Sequence, residues 1–235
     1  MAKQAISKSN KIVFFTGAGM SQESGLSTFR GRDGYWRKYD PMKLASPEAF
    51  RQDPKLVWDW YYDRRRAALQ AKPNAGHVAI ALLQNLKQVS VITQNVDDLH
   101  RAAGSRNIVE LYGNLFKVRC TSCKYRGRID DKFPPPPPKC EKCDSLLRPD
   151  IVWFGEELPK DSLEESARLC TDCDLMVIVG SSLQVAPANS LPVMAKRNGA
   201  TLVEINVEAT HMSEMMDYSI IGTAAGTLPA LLDCS

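Results

Sequence analysis

Two cysteine pairs, Cys120-x-x-Cys123 and Cys140-x-x-Cys143, stand sixteen residues apart. Four thiolates at this spacing close a tetrahedron around one Zn²⁺. Because all four positions are cysteine, none is open to water or substrate, and the pattern predicts a structural zinc ribbon. Within it, Phe133 to Lys139 holds five consecutive prolines, read as a polyproline II spacer between the two knuckles. An SH3-type ligand is the alternative for the prolines, and a nucleic-acid-binding ribbon is the alternative for the segment alone. Three cysteines remain. Cys170-Thr-Asp-Cys173 is a third C-x-x-C, but it precedes the apolar run Leu175–Val179 with no fourth partner nearby, so Cys170, Cys173 and Cys234 are read as unliganded thiols.

The second constraint is Thr16 to Arg30, TGAGMSQESGLSTFR, which follows the apolar run Lys11–Phe15. A strand breaking into GAG and small residues suggests backbone passing close to a phosphate, with a helix N-terminus behind it. Gly17, Gly19 and Gly25 do not fit G-x-G-x-x-G, however, and an ordinary tight turn explains them equally well. Further β-branched runs follow at Val89–Thr93, Ile108–Leu111, Leu175–Gly180, Ala200–Asn206 and Tyr218–Ile221, most of them separated by enough chain for a helix. Buried parallel strands have this form, so the predicted class is α/β: a doubly wound, Rossmann-like parallel sheet with a smaller domain made of a zinc ribbon and a helical insertion. Residues 1–35, 75–118 and 151–235 are assigned to the first, 36–74 to the helical insertion and 119–150 to the ribbon. Ligands in such sheets lie beyond the carboxyl ends of the strands, where Gly17-Ala18-Gly19, Gln94-Asn95-Val96-Asp97, Gly180-Ser181-Ser182 and Asn206 stand.

The insertion, Gly31 to Asn74, has helix starts at Ser46-Pro47-Glu48 and Asp53-Pro54. From Leu56 to Ala71, Trp58, Tyr61, Tyr62, Ala68 and Leu69 recur at helical spacings, and one amphipathic helix is expected. Tyr61 and Arg64 share a face of it. Arg64-Arg65-Arg66 by itself reads as a solvated charge run. Charge is otherwise mixed, with 30 basic and 27 acidic residues among 235, which gives no field that would call for nucleic acid or a membrane. No stretch is long and apolar enough to span a bilayer and Met1–Asn10 has no secretion signature, so a cytoplasmic monomer is expected.

These motifs together (GAGMS with STFRG, TQNVDDLH, the two knuckles, VWFGE, GSS and Ile205-Asn206) resemble the sirtuins, the Sir2 family of NAD-dependent protein-lysine deacylases, over nearly the whole chain. The resemblance implies that Gly17 to Trp36, including Ala18, Gly19, Ser21, Phe29 and Arg30, forms the phosphate and nicotinamide-ribose loop. It implies that Gln94, Asn95, Val96 and Asp97 line the nicotinamide pocket, and that Gly180, Ser181, Ser182, Asn206, Val207, Glu208 and Ala224 hold the adenosine end. It places Val152, Trp153, Phe154, Gly155 and Glu156 along the substrate peptide, paired as an added strand. In the most similar branch, the class III deacetylase/desuccinylase sirtuins, Tyr and Arg at the spacing of Tyr61 and Arg64 bind the carboxylate of succinyl- or malonyl-lysine, for which a phenol donor and a guanidinium fork are suited. The implied activity is removal of succinyl and malonyl groups from acylated-lysine proteins or peptides, with deacetylation as a further activity, giving nicotinamide and O-acyl-ADP-ribose. NAD is the co-substrate and one structural zinc the metal.

One position departs from the family. Where its catalytic histidine precedes a glycine, this chain reads Glu110-Leu111-Tyr112-Gly113-Asn114. Histidine, with a reference pKa of about 6.5, is poised to take a proton near neutral pH, whereas tyrosine at about 10 is a poor base. Losing a general base costs roughly 10²–10⁴-fold in rate, so impaired turnover is expected. The alternatives are a weakly catalytic module that binds NAD or acyl-lysine, and a protein ADP-ribosyltransferase.

Overall fold

The computed structural model describes residues 1–28, 40–129 and 131–233. Phe29, Arg30, the loop as far as Trp36 and Cys234 lie outside these residues. Helix α1 (Ala2–Lys8) leads into β1 (Lys11–Thr16) and a 3-10 turn, Ala18–Ser24. Three helices, α2 (Pro41–Leu44), α3 (Pro47–Gln52) and α4 (Pro54–Gln70), occupy the insertion. Each begins with a capping side chain before a proline: Asp40, Ser46 and Asp53 accept from the backbone N–H of Met42, Ala49 and Leu56. The chain continues through α5 (Ala75–Leu83), β2 (Gln88–Thr93), α6 (Leu99–Ala102) and β3 (Ile108–Glu110), then β4 (Gly113–Cys120), β5 (Arg126–Arg128) and β6 (Leu147–Ile151). It closes with α7 (Lys160–Asp172), β7 (Leu175–Val179), α8 (Ser190–Arg197), β8 (Thr201–Asn206), β9 (Tyr218–Ile221) and α9 (Ala224–Leu231).

Six strands pair in the order β3-β2-β1-β7-β8-β9, all parallel. Every residue of β7 is buried, which a sheet covered on both faces requires. Phe14, Val177 and Val203 point into one core with α5 and α9, while Phe15, Met176 and Leu202 point into the other with α7 and α8. Cys170 and Cys173 belong to this second core. Burial pushes their thiols up to about 12 and about 11, as expected of inert, unliganded cysteines. Because the chain winds outward in both directions from β1 and β7, a crevice opens between their carboxyl ends.

The small sheet, β5-β4-β6, is antiparallel and shares a third core with α3 and α4. Three features differ from the sequence reading. Arg65 is fully buried. Its guanidinium lies 4.6 Å from the Phe133 ring centroid and donates to the carbonyls of Ile129 and Lys132, fastening α4 to the ribbon, whereas Arg66 remains exposed beside Asp63. A cation can be buried here because aromatic faces and carbonyl oxygens replace its water. Leu69, in turn, lies on the exposed side of α4. The proline run is not a straight rod: it bends over Pro135–Pro137, where Tyr62 Oη donates to the Pro134 carbonyl and Leu147 N to that of Pro138.

Candidate active site

A cleft of about 830 Å³ opens at the crevice and runs up to the small sheet. Its floor is made by strand ends. Gly17 N donates to Val179 O and Gly19 N to Gly180 O, so these two backbone donors are used within the protein. These glycines are needed for close approach: a Cβ on Gly17 would lie 2.7 Å from Gly180 O, and one on Gly180, where φ is +60°, would lie 2.5 Å from Met20 N. Across the same edge, Ser181 Oγ donates to Gln94 Oε1 at 2.7 Å and Asn206 Nδ2 to Ser181 O at 3.0 Å. The ends of β2, β7 and β8 are thereby held in one line.

Asn95 lines the cleft with its amide nitrogen turned inward, donating to Gly17 O and Ser21 Oγ. Its Oδ1 is the polar atom left for a ligand, and suits an amide or hydroxyl donor. Behind it, Ser21 Oγ donates to Asp97 Oδ2 at 2.7 Å and Leu99 N to Asp97 Oδ1 at 3.0 Å. Burial raises the Asp97 pKa against these hydrogen bonds. The His77 ring, 3.5 Å from Ser21 Oγ, is pushed down to about 4 by burial, and His100 beside it falls well below its ordinary value for the same reason. The two buried rings meet edge to face with centroids 4.8 Å apart.

On the opposite wall, α4 presents Trp60, Tyr61 and Arg64. The Arg64 guanidinium sits 4.8 Å from the Trp60 ring and 5.4 Å from that of Tyr61. Tyr61 is buried, and Trp153 Nε1 donates to its oxygen at 2.9 Å. The segment Val152–Glu156 is a tight turn: Val152 N donates to Tyr112 O and Glu156 N to Trp153 O. Arg148 holds the Glu156 carboxylate through two bonds of 2.6 and 2.9 Å. Burial opposes ionisation of Glu156, yet the Arg148 pair and the Trp153 N–H outweigh it and hold the carboxyl below its ordinary range. Tyr112 is half-buried in the cleft wall between the two domains' cores.

A model described as the Sir2 family matches residues 17–187. The chain belongs to the Sir2 family. It is 48% identical over 235 residues to the NAD-dependent protein deacylase of Pyrococcus furiosus, with 97% of this chain and 94% of that protein covered. To the NAD-dependent protein deacylase 1 of Caldanaerobacter subterraneus subsp. tengcongensis it is 52% identical over 214 residues, covering 90% and 88%. A solved Sir2 homologue in complex with NAD superimposes with a TM-score of 0.93 at 45% identity, covering 98% of this chain and 91% of that one. A Sir2 complex with a p53 peptide and NAD gives 0.89 at 33% identity, covering 98% and 95%.

In this Sir2 chain the cleft gathers most of the residues singled out from sequence, including Ala18, Gly19, Gln94, Asn95, Val96, Ser182, Val207, Glu208 and Ala224, and the whole of Val152–Glu156. Gly17, Ser21 and Asp97 stand behind the wall, outside the lining. Gln22 and Glu23, inside the loop assigned from Gly17 to Trp36, also line it, whereas sequence reasoning did not find Trp60, the stretch Gln184–Pro187 or His211, which line it as well. Glu23 Oε2 accepts from Ala225 N at the start of α9, a pairing across 202 residues that no local pattern encodes. His211 sits on the loop after β8, which buried Glu204 fastens by accepting from Thr210 Oγ1 and Ser213 Oγ.

The zinc cluster lies away from the cleft. The Sγ atoms of Cys120, Cys123, Cys140 and Cys143 all lie within 4.8 Å of one another, with two separations of 3.5 and 3.7 Å. A tetrahedron with Zn–S bonds of about 2.3 Å has edges of about 3.8 Å, so the four residues fit one closed zinc site. The backbone N–H groups of Cys123 and Ser122 point at Cys120 Sγ and pull its pKa down to about 6, which favours the thiolate a metal needs. Among the described residues no helix is long and apolar enough to cross a membrane.

Proposed function

We propose that this chain removes acyl groups from protein lysine side chains with NAD as co-substrate, releasing nicotinamide and O-acyl-ADP-ribose, and that succinyl and malonyl groups are its preferred cargo. The observation that carries the reading is the single cleft that joins the strand ends around Gly19, Gly180 and Asn95 to the Tyr61 and Arg64 wall. Relatives named as NAD-dependent protein deacylases, and Sir2 structures holding NAD, support the first half. The second half rests on the chemistry of a guanidinium beside a phenol, which matches a carboxylate and offers a methyl group nothing.

In this reading the dinucleotide supplies an electrophilic ribose carbon once nicotinamide departs. The protein's residues do the rest. Asn95 Oδ1 and the Gln94–Ser181–Asn206 line orient what lies on the strand ends. Val152–Glu156 pairs with peptide backbone, so many peptide sequences are accepted. Trp60, Val96 and Phe154 give the cleft apolar surface for the acyl chain. Tyr112 occupies the position of the proton acceptor and is a weak base there, so turnover is slow. That one substitution also supports a second reading, a module that binds acyl-lysine with negligible turnover.

Mass spectrometry of succinyl-, malonyl- and acetyl-lysine peptides incubated with NAD tests both. Deacylated peptide and O-acyl-ADP-ribose should appear together, faster from succinyl- than acetyl-lysine, and Arg64→Met should cut the succinyl rate roughly 10-fold or more, as loss of a charged hydrogen-bond partner does. A wild-type preference for acetyl-lysine would refute the acyl assignment. Tight binding of succinyl-peptide with no product would favour the module.

A further inference from the structure

The proposed acyl pocket is not built from Tyr61 and Arg64 alone. A phenol oxygen can accept hydrogen bonds and donate one, whereas an indole N–H can only donate. The 2.9 Å bond between Trp153 Nε1 and Tyr61 Oη therefore fixes Tyr61 as the acceptor. Its own proton is left for another partner, and among the described residues no hydrogen bond takes it. Tyr61 lines the cleft beside Arg64, so that proton and the guanidinium bear on the same region.

Trp153 is itself held by its neighbours. Its ring packs 5.3 Å from Phe50, and the Arg148 guanidinium lies 3.3 Å from its centroid. Arg148 is in turn clamped to Glu156, whose Oε2 accepts the Trp153 backbone N–H at 2.9 Å. Phe154 N is tied to Ala45 O. The indole thus has little rotational freedom, and a side chain from the peptide-pairing segment is committed to the acyl wall.

We propose that Trp153 is a specificity-positioning residue: its indole N–H occupies the acceptor side of the Tyr61 oxygen, so that the phenol proton is presented to an acidic acyl group. The inference rests on the acidic-acyl reading above. It makes selectivity for succinyl over acetyl depend on a residue that need not touch the acyl group. Arg148 and Glu156 serve the same end by holding the ring.

A double-mutant cycle on binding tests this without relying on turnover. Dissociation constants for succinyl-lysine and acetyl-lysine peptides are measured by calorimetry for the wild type, Trp153→Phe, Tyr61→Phe and the double variant. Taking the ratio of the two constants within each protein cancels any loss of folded fraction. Trp153→Phe should lower the succinyl preference by roughly 3- to 10-fold, the worth of one hydrogen bond, and should lower it no further once Tyr61 is Phe. An unchanged ratio in Trp153→Phe, or an equal loss in the Tyr61→Phe background, would overturn the positioning role. A wild type with no succinyl preference would instead overturn the acyl reading on which it stands.

Discussion

Alanine substitutions at Gly104, Gly17 and Gly180 separate two reasons for which a glycine is required. Gly104 has φ +97° and nothing within 4 Å of its would-be Cβ, so Gly104→Ala adds backbone strain alone, about 1–2 kcal/mol. Gly17 has an ordinary φ of −119°, but its Cβ would meet Gly180 O and Ser181 Cα at 2.7 Å; overpacking of this kind costs about 1–3 kcal/mol. Gly180 combines both, with φ +60° and contacts of 2.5 Å to Gly19 C and Met20 N. Its alanine variant should therefore lose about 2–5 kcal/mol. Urea unfolding measures the three, and calorimetric titration with NAD follows the cleft: Gly180→Ala should weaken binding because the loops after β1 and β7 must part, while Gly104→Ala should not. If Gly180→Ala is no worse than Gly104→Ala, or Gly17→Ala is neutral, the interlocked strand ends do not constrain the floor of the cleft.

Acid should destabilise the fold through its buried histidines. The folded-state pKa of His77, about 4, lies below the unfolded value of about 6.5, so the unfolded chain binds the extra proton and stability falls as pH drops from about 6.5 to 4, by up to about 3 kcal/mol. Urea midpoints across this range should decline less in His77→Gln, and a parallel decline would remove His77 as the cause. Chelation of zinc should expose amides of β4, β5 and β6 to hydrogen exchange before those of the parallel sheet, since the metal ties together only the ribbon; equal protection in the chelated protein would contradict this.

The parallel sheet was legible because buried strands have no choice but to be apolar, and the zinc site because four thiols at fixed spacing have few other uses. Helix starts were legible where a capping side chain precedes proline, as at Ser46 and Asp53. Arg65 was not: its burial depends on Phe133 and on carbonyls of the ribbon 64 and 67 residues away, which no local pattern shows. The glycines of the first loop left a phosphate approach and a tight turn equally open, and what no local pattern showed is their close packing against Gly180 and Ser181. The Trp153–Tyr61 bond spans 92 residues and joins two motifs that the sequence presents separately. Local chemistry could nominate both residues; only the fold brings them together.

The measurement that bears most directly on the account is NAD-dependent turnover of a succinyl-lysine peptide by the wild-type chain and by Tyr112→His, at equal protein and zinc content. Restoring imidazole at the cleft position of Tyr112 should raise the rate by roughly 10²–10⁴-fold, with nicotinamide, lysine peptide and O-succinyl-ADP-ribose formed in equal amounts. Equal and rapid turnover by both proteins would show that position 112 does not hold the proton acceptor.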